Sequence, residues 1–422
     1  LYQAQFEYLK HGEWTGHLLR KKIKPDGSIV HELDEAGNWN AGDKVREQAL
    51  GGTRKIWTAL KGADYKTDYN NFVVKNATLI NKLFQINGNS VADYHNLTSA
   101  CKAQTGQGVA NGNSDDIDGL IKFVRGYDYF GYKGCANMGE IRDSVLGDIY
   151  HSQIVEVGRP SANTLYTGRN QEAYFRSKNG YSQWAAANAN RDRTLYVGAN
   201  DGMLHAFDAT NGNERWAFIP PFIAGRLPEV INTGLDGVEG TGAEAKGGTI
   251  SIFAVDGSPV IHDMYITGIK PDGTWETEGT KSWHTILFIP YGRGGRGFSV
   301  LDVTDPHRPH HIFSVYNDWD RKKIMIAKQD GTIINDVDNK IDGLTYTGGS
   351  MSVDQSLEAE RAIANQTRAY DADILLDSSG DTFTNRDTAA ECSTSSTFYI
   401  DNDTSACYNG STFTFNYIVP DD

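Results

Sequence analysis

Along residues 194–219, apolar and polar positions alternate in short bursts separated by turn formers. Thr194 to Gly198 sets branched and aromatic residues against small ones, and Asn200-Asp201-Gly202 then supplies the composition of a tight hairpin turn. Met203 to Ala209 reads as a second strand, Thr210-Asn211-Gly212-Asn213 as a second turn, and Arg215 to Ile219 as a third strand. Three such antiparallel strands make most of one β-propeller blade, or an ordinary meander in a sandwich. The order Ala206-x-Asp208-x-Thr210-x-Gly212-x-x-x-Trp216 favours the blade, since Asp208 and Thr210 can cap the turn and Trp216 can close over the blade edge. The alternation returns later. Trp283 to Tyr291 and Phe298 to Val303 read as strands joined by Gly292-Arg-Gly-Gly-Arg-Gly297. His310 to Tyr316 follows the turn Thr304-Asp-Pro-His-Arg-Pro309. Placing Asp302 on Asp208 also places Thr304 on Thr210. Repeated strand–turn units bury their cores by stacking on one another. The expected fold class is therefore all-β, a modified, quinoprotein-like β-propeller; two copies cannot close a ring, so either further blades lie outside this chain or its tail contains degenerate ones.

Around these units the pattern changes. Residues 1 to about 60 read as short strands and loops anchored by Trp14, Trp39 and Trp57, with a helix expected near Asn71 to Phe84. Thr105 to Gly119 is polar and glycine-rich. Ile117, Leu120, Ile121 and Val124 then recur at helical spacing within Asp116 to Gly126. Residues 141–158 lead into the first blade, and Gly234 to Gly248 reads as a mobile, glycine-heavy loop. After Tyr316 the text turns to Asp, Thr, Ser and Asn. Three regions follow: an α+β lead-in over 1–140, propeller blades over 141–355, and an insertion or small disulfide-stapled β unit over 356–422.

Several ordered blocks resemble the C-terminal region of type IV pilus tip proteins of the PilC/PilY type. They are Arg142-x4-Gly147-Asp148-Ile149-x-His151-Ser152, Leu195 to Asp208, Trp216-Ala-Phe-Ile-Pro220, Val255-Asp-Gly-Ser-Pro-Val260 and Gly294 to Pro306. Upstream, Trp14-x-Gly16, Trp39-x-Ala41, Arg54-x-Ile56 and Val124-Arg-Gly126 look like the segment that precedes the propeller in that family, so the resemblance runs from about residue 8 to about residue 316. It implies a surface-exposed protein at the tip of a retractile pilus, one that primes assembly with minor pilins and supports adhesion to a host or abiotic surface receptor. Many members carry an N-terminal von Willebrand A-like domain. Here the chain starts inside the lead-in, so that domain would lie outside it.

Composition narrows the picture further. The chain has 422 residues, 39% hydrophobic and 22% charged, with a net charge of −14. That balance suits a turn-rich β protein and argues against electrostatic binding to nucleic acid or anionic lipid. No apolar run reaches the length of a membrane span. The four cysteines form two sequence-local pairs, Cys101 with Cys135 and Cys392 with Cys407, neither at zinc-ligand spacing. Two disulfides and an oxidising, extracellular compartment are expected, with four buried thiols as the alternative. Closing the 392–407 loop would stabilise by roughly 3 kcal/mol in the chain-entropy model.

Candidate chemistry is concentrated in Ile334-Asn-Asp-Val-Asp-Asn-Lys-Ile-Asp-Gly343. Alternate carboxylates on a tight loop can converge on calcium, which takes six to eight oxygens. The resemblance implies a loop of pattern Asp-x-Asn/Asp-x-Asp-Gly-x-x-Asp. Its third, fifth and ninth positions fall on Asp336, Asp338 and Asp342, its seventh on the Lys340 carbonyl, and its glycine on Asn339. Its first falls on Ile334, which cannot ligate through its side chain, so Asn335 or Asp330 would have to substitute. An exposed Asx-rich turn explains the same residues equally well. Asp115, Asp116 and Asp118 have poorer spacing and read as the approach to a helix capped by Asp116. His307, His310 and His311 could gather a transition metal, but adjacent strand residues face opposite ways. Gly292 to Gly297 is followed by a strand, which excludes a phosphate cradle. No nucleophile elbow or His-Glu-x-x-His site is present.

The function expected is thus a non-enzymatic pilus tip protein, calcium-modulated, that supports assembly and adhesion. Two alternatives are a quinoprotein dehydrogenase and a purely structural scaffold of the tip complex. The Ala206 to Trp216 block is also similar to the tryptophan-docking motif of pyrroloquinoline quinone propellers, although only one good copy occurs.

Overall fold

In a computed structural model the described residues are 1–7, 15–33, 37–86, 114–127, 140–230 and 252–338, together with four strands between 350 and 417. The chain opens with a three-stranded antiparallel sheet of β1 (Tyr2–Glu7), β2 (Thr15–Arg20) and β3 (Trp39–Asn40). Where strands and loops were expected, helix α1 (Ala41–Leu50) follows. Asn40 caps it by accepting from the Gly42 N–H, and Ala41, Val45 and Ala49 form its buried stripe. After β4 (Ile56–Trp57), helix α2 (Ala77–Phe84) is shorter than the expected 71–84. The reason lies in Asn71, whose side chain accepts from Thr58 N–H and donates to the carbonyls of Thr58 and Ala63. Helix α3 (Ser114–Arg125) buries Ile117, Leu120, Ile121 and Val124 as the spacing predicted. It starts at Ser114, so Asp116 lies inside its first turn rather than at the cap.

The two meanders are present, each within a larger sheet than the three strands expected. In the first, β5 (Val155–Val157), β6 (Thr194–Gly198), β7 (Leu204–Asp208) and β8 (Glu214–Phe218) are antiparallel neighbours, and β4 adds to β8 in parallel. Between β5 and β6 the chain forms helices α4 (Gln171–Lys178) and α5 (Tyr181–Ala187). In the second, β9 (Val260–Ile266), β10 (Ser282–Pro290), β11 (Gly297–Asp302) and β12 (His310–Asp318) run antiparallel, and β13 (Lys323–Lys328) and β14 (Ile333–Asp338) extend the sheet. All five residues of β6 are buried, so the first sheet is covered on both faces.

The two units correspond in detail. Asp208 Oδ1 accepts the Thr210 N–H at 2.7 Å, and Asp302 Oδ1 accepts the Thr304 N–H at 2.9 Å. Each also carries a β-bulge at the same place. Ala206 pairs with Trp216 and Phe207 with Glu214, skipping Arg215. Val300 pairs with Phe313 and Leu301 with His311, skipping Ile312. Trp216 is thereby matched to Phe313, and Glu214 to His311. Both sheets contribute to a single core, which joins Tyr196, Leu204, Trp216 and Phe218 to Leu287, Ile289, Leu301 and Val303. Inside it the Trp216 Nε1–H donates to the Pro306 carbonyl at 2.8 Å.

A short hairpin recurs three times. Lys24-Pro-Asp-Gly-Ser28, Lys270-Pro-Asp-Gly-Thr274 and Lys328-Gln-Asp-Gly-Thr332 each close with a lysine N–H to the carbonyl four residues on, at 2.8–2.9 Å. In each, the Asp Oδ1 accepts the N–H two residues later, and the glycine takes φ of 78 to 83°.

Leu1–Val337 forms one compact unit, which contains the boundary expected at 140/141. Asp338–Asp422 forms a second, with β15 (Ser350–Ser352), β16 (Ser396–Asp401), β17 (Thr404–Tyr408) and β18 (Thr412–Tyr417) as an antiparallel sheet in the order β15-β18-β17-β16.

Candidate functional site

Buried charge gathers where the lead-in meets the first sheet. Glu214, at the start of β8, receives a bidentate guanidinium from Arg54, with both N–H···O contacts at 2.9 Å. The His205 Nδ1–H donates to the same carboxylate at 2.8 Å, and its Nε2–H reaches Asp201 Oδ1 at 3.1 Å. Asp201 in turn accepts the Gly147 N–H at 2.8 Å. Arg54, His205, Glu214 and Asp201 are at most 4% exposed. Burial works against the His205 charge, but Asp201 and Glu214 outweigh it and push the imidazole up to about 9. Burial also opposes ionisation of Glu214, yet Arg54 and His205 hold its carboxyl down at about 2. Arg125 lies alongside, donating to Asn70 and to the Phe72 and Arg54 carbonyls. Burial and the Arg54 charge bring it down to about 10.

The block from Gly147 to Ser152 straps the first hairpin in place. Asp148 accepts from Asn200 Nδ2 at 2.6 Å, Ser152 Oγ accepts the Gly198 N–H at 2.8 Å, and the His151 Nδ1–H meets Asp256 at 2.7 Å. Glycine is required here because the chains touch. A Cβ on Gly147 would fall 2.5 Å from the Asp201 nitrogen, and one on Gly16 would fall 1.9 Å from the Gly147 oxygen. These are the blocks that carry the family resemblance. Their work in the fold is to weld the lead-in, the first hairpin and residues 255–257 together.

A second cluster has the connectivity of a nucleophilic triad, which no sequence spacing announced. Ser282 Oγ lies 2.7 Å from His284 Nε2, and His284 Nδ1 lies 2.6 Å from Asp302 Oδ2. Glu276 changes its chemistry. Its Oε1 accepts from Ser282 Oγ at 2.7 Å, and its Oε2 stands 3.6 Å from His284 Nε2. Burial opposes charge on His284, but Asp302 and Glu276 prevail and raise its pKa. In its protonated form the Nε2–H would have no lone pair to take the serine proton, and the Ser282 hydroxyl donates to Glu276 Oε1. Asp302 also accepts the Thr304 N–H and hydroxyl. The cluster clasps the hairpin before β10 to the sheet.

The second sheet has a neutral core network. Tyr291 OH, Ser299 Oγ, Ser314 Oγ and His311 Nε2 follow one another at 2.8, 2.7 and 2.8 Å, all fully buried. Burial drives His311 down to about 4.

The remaining sequence-predicted residues are placed as follows. Asp336 and Asp338 lie on β14, while Lys340 and Asp342 are outside the described residues. Asp330 uses both carboxylate oxygens on Thr332, one on its N–H and one on its hydroxyl. Cys101, Cys135 and Cys392 lie outside the described residues, as do Trp14 and Gly234 to Gly248, while Cys407 lies on β17. His307 meets Asp192 at 2.8 Å, apart from His310 and His311 on β12. Among the described residues no group of three His, Cys, Asp or Glu side chains could hold a metal, and no helix is long and apolar enough to cross a membrane.

Residues 146–323 match the sequence profile of the PilY1 beta-propeller domain. Over that span the chain resembles PilY1-type pilus proteins. It is 39% identical over 165 residues to the type IV pilus biogenesis factor PilY1 of Pseudomonas aeruginosa, which covers 39% of this chain and 12% of that protein. A PilY1 homolog of Xylella fastidiosa is 37% identical over 166 residues, covering 39% and 11%. A longer match, 28% identical, runs over 309 residues of PilY1 from another Pseudomonas aeruginosa strain, covering 72% of this chain and 21% of that one. The chain thus spans about a tenth to a fifth of these relatives' length. The crystal structure of the Pseudomonas aeruginosa PilY1 C-terminal domain aligns at 25% identity over 43% of this chain and 36% of that one, with a TM-score of 0.23. The PilY1 propeller match begins at Leu146, just before the strap, and includes both corresponding units.

Proposed function

We propose that this chain is part of a non-enzymatic, exported type IV pilus protein, and that its two corresponding sheets are blades of a modified propeller. It would act at the pilus tip, supporting assembly with minor pilins and attachment to a surface receptor. The observation that carries this reading is the match of residues 146–323 to the PilY1 propeller profile, together with relatives named as pilus biogenesis factors. The buried clusters support it as well, because each conserves its charge or hydroxyls for holding segments together rather than for proton transfer. Calcium on the Asp336, Asp338, Lys340 and Asp342 loop belongs to the same proposal. Calorimetry on the parent and on Asp338→Ala tests that part, and no heat of calcium binding in the parent ends it.

The decisive experiment deletes residues 146–323 at the chromosomal locus. Surface pili are counted by electron microscopy, and attachment is scored in a retraction-deficient background. The expected result is few or no pili and lost attachment, both restored by the intact gene. Normal piliation and attachment in the deletion would overturn the reading.

A further inference from the structure

β9 is the last strand of its sheet. It pairs with β10 without a break from Val260 to Ile266, and among the described residues no strand pairs with its other edge. The backbone groups left over can be assigned. On β10, Thr285 directs its N–H to Thr304 Oγ1 and its carbonyl to the Val303 N–H, both towards β11. Since successive residues of a strand point their backbone groups to opposite sides, Ile286 and His284 face β9. Their partners are His262 and Met264. The N–H and C=O groups of Ile261, Asp263 and Tyr265 therefore point away from the sheet.

Natural edge strands are blunted by charged residues, proline, a bulge, shortness or a covering element. Val260-Ile-His-Asp-Met-Tyr-Ile266 has no lysine, proline or bulge, and its one carboxylate, Asp263, is engaged by Tyr181 and Thr285. Instead, a groove of about 510 Å³ runs along it, lined by the consecutive residues 262–266 on one side and by α4 on the other. Consecutive lining residues mean that the strand's edge, not one of its faces, borders the groove. Across from it, Tyr174 and Phe175 are 43% and 49% exposed. Tyr265, Trp283 and Phe175 form a contiguous aromatic floor, with ring centroids 5.3–6.2 Å apart. The charges at the groove are already matched. Glu172 bonds Arg176, and the two oxygens of Asp263 are taken by Tyr181 OH and Thr285 Oγ1.

We propose that this edge docks an extended, uncharged and largely apolar segment of a partner protein, which adds to β9 as a further strand and seats side chains against Phe175 and Tyr265. Backbone pairing would supply affinity and the aromatic floor selectivity. The proposal does not depend on the pilus reading, because it is tested on the purified chain alone.

The test is residue-resolved amide exchange on the intact chain. Free, the amides of Ile261, Asp263 and Tyr265 should exchange about tenfold or more faster than those of His262 and Met264. A peptide of alternating threonine and valine, as long as β9, should bind saturably and protect those three amides. The same peptide N-methylated on the residues that face β9 should bind about tenfold more weakly or not at all, since each lost bond is worth about 1 kcal/mol. Replacing Phe175 by Ser, on the exposed side of α4, should weaken binding while leaving the free exchange pattern unchanged. Equal protection of all five amides in the free chain, no binding of the probe, or indifference to N-methylation would overturn the proposal. Protection that arises only as the protein is concentrated into dimers would replace the partner by a second copy of this chain, and would overturn it as stated.

Discussion

The two sheets carry opposite chemistry at corresponding positions. In the first, His205 on β7 and Glu214 on β8 are charged and locked to Arg54 and Asp201. In the second, Ser299 occupies the place of His205 and His311 that of Glu214, with neutral hydroxyls linking them through Ser314. The difference follows from what each sheet has beside it. The first must hold a parallel strand, β4, that arrives from far upstream, and Arg54 sits just ahead of that strand. The second is continued by its own next hairpin, so hydrogen bonds between adjacent strands suffice. A buried ion pair is weak as a source of net stability but strongly selective, because no other arrangement satisfies both charges.

The largest expected effect is in the charged network. Glu214→Ala leaves Arg54 and His205 buried without their shared partner and should cost about 3–5 kcal/mol in urea denaturation. A cost below about 1 kcal/mol would erase the distinction between the sheets.

Next comes the pH response, in which the two histidines act in opposite directions. His205 is raised, so its contribution is complete below pH 6.5 and is lost as pH climbs towards 9. His311 is depressed, so its contribution is complete above pH 6.5 and is lost as pH falls towards 4. Each limb should amount to roughly 3 kcal/mol, read as the shift in denaturation midpoint. His205→Gln should flatten the alkaline limb alone, and His311→Gln the acid limb alone. A variant that flattens the wrong limb would reverse the assignment.

The smallest effect is in the neutral relay. Ser314→Ala removes a hydroxyl from a chain of small groups and should cost about 1 kcal/mol. A loss as large as that of Glu214→Ala would show the hydroxyls to be no less essential than the charges.

Much of this arrangement was legible locally. Asp208-x-Thr210 and Asp302-x-Thr304 announced their turns because an Asp side chain reaches the N–H two residues on, a contact within one short segment. The stripe in Asp116 to Gly126 announced α3 for the same reason. The Lys-x-Asp-Gly-Ser/Thr hairpins were equally open to inspection, as near-identical pentapeptides. Arg54 and Glu214 are another matter, being 160 residues apart with no local pattern to join them. One signal did exist: His205 and Glu214 interrupt apolar strands, and an ionisable group inside a strand with both faces buried demands a partner. Helix α1 hid in short, weakly apolar text, where only Ala41, Val45 and Ala49 mark the buried side. The strands β5 and β9 were missed because they lie outside the turn-bounded pattern that identified their neighbours. The candidate calcium loop was read by laying the pattern implied by the resemblance on these residues, of which Asp336 and Asp338 are placed, both on β14.

The parallel pairing of β4 with β8 also dictates an order of events in the making of the molecule. Ile56 and Trp57 leave the ribosome long before Ala217 and Phe218 exist to receive them. During synthesis, Ile56 and Trp57 must wait without the strand that completes their sheet. A chain halted before residue 214 would leave Trp57 with Tyr65 and Tyr69 but without Trp216 and Phe218.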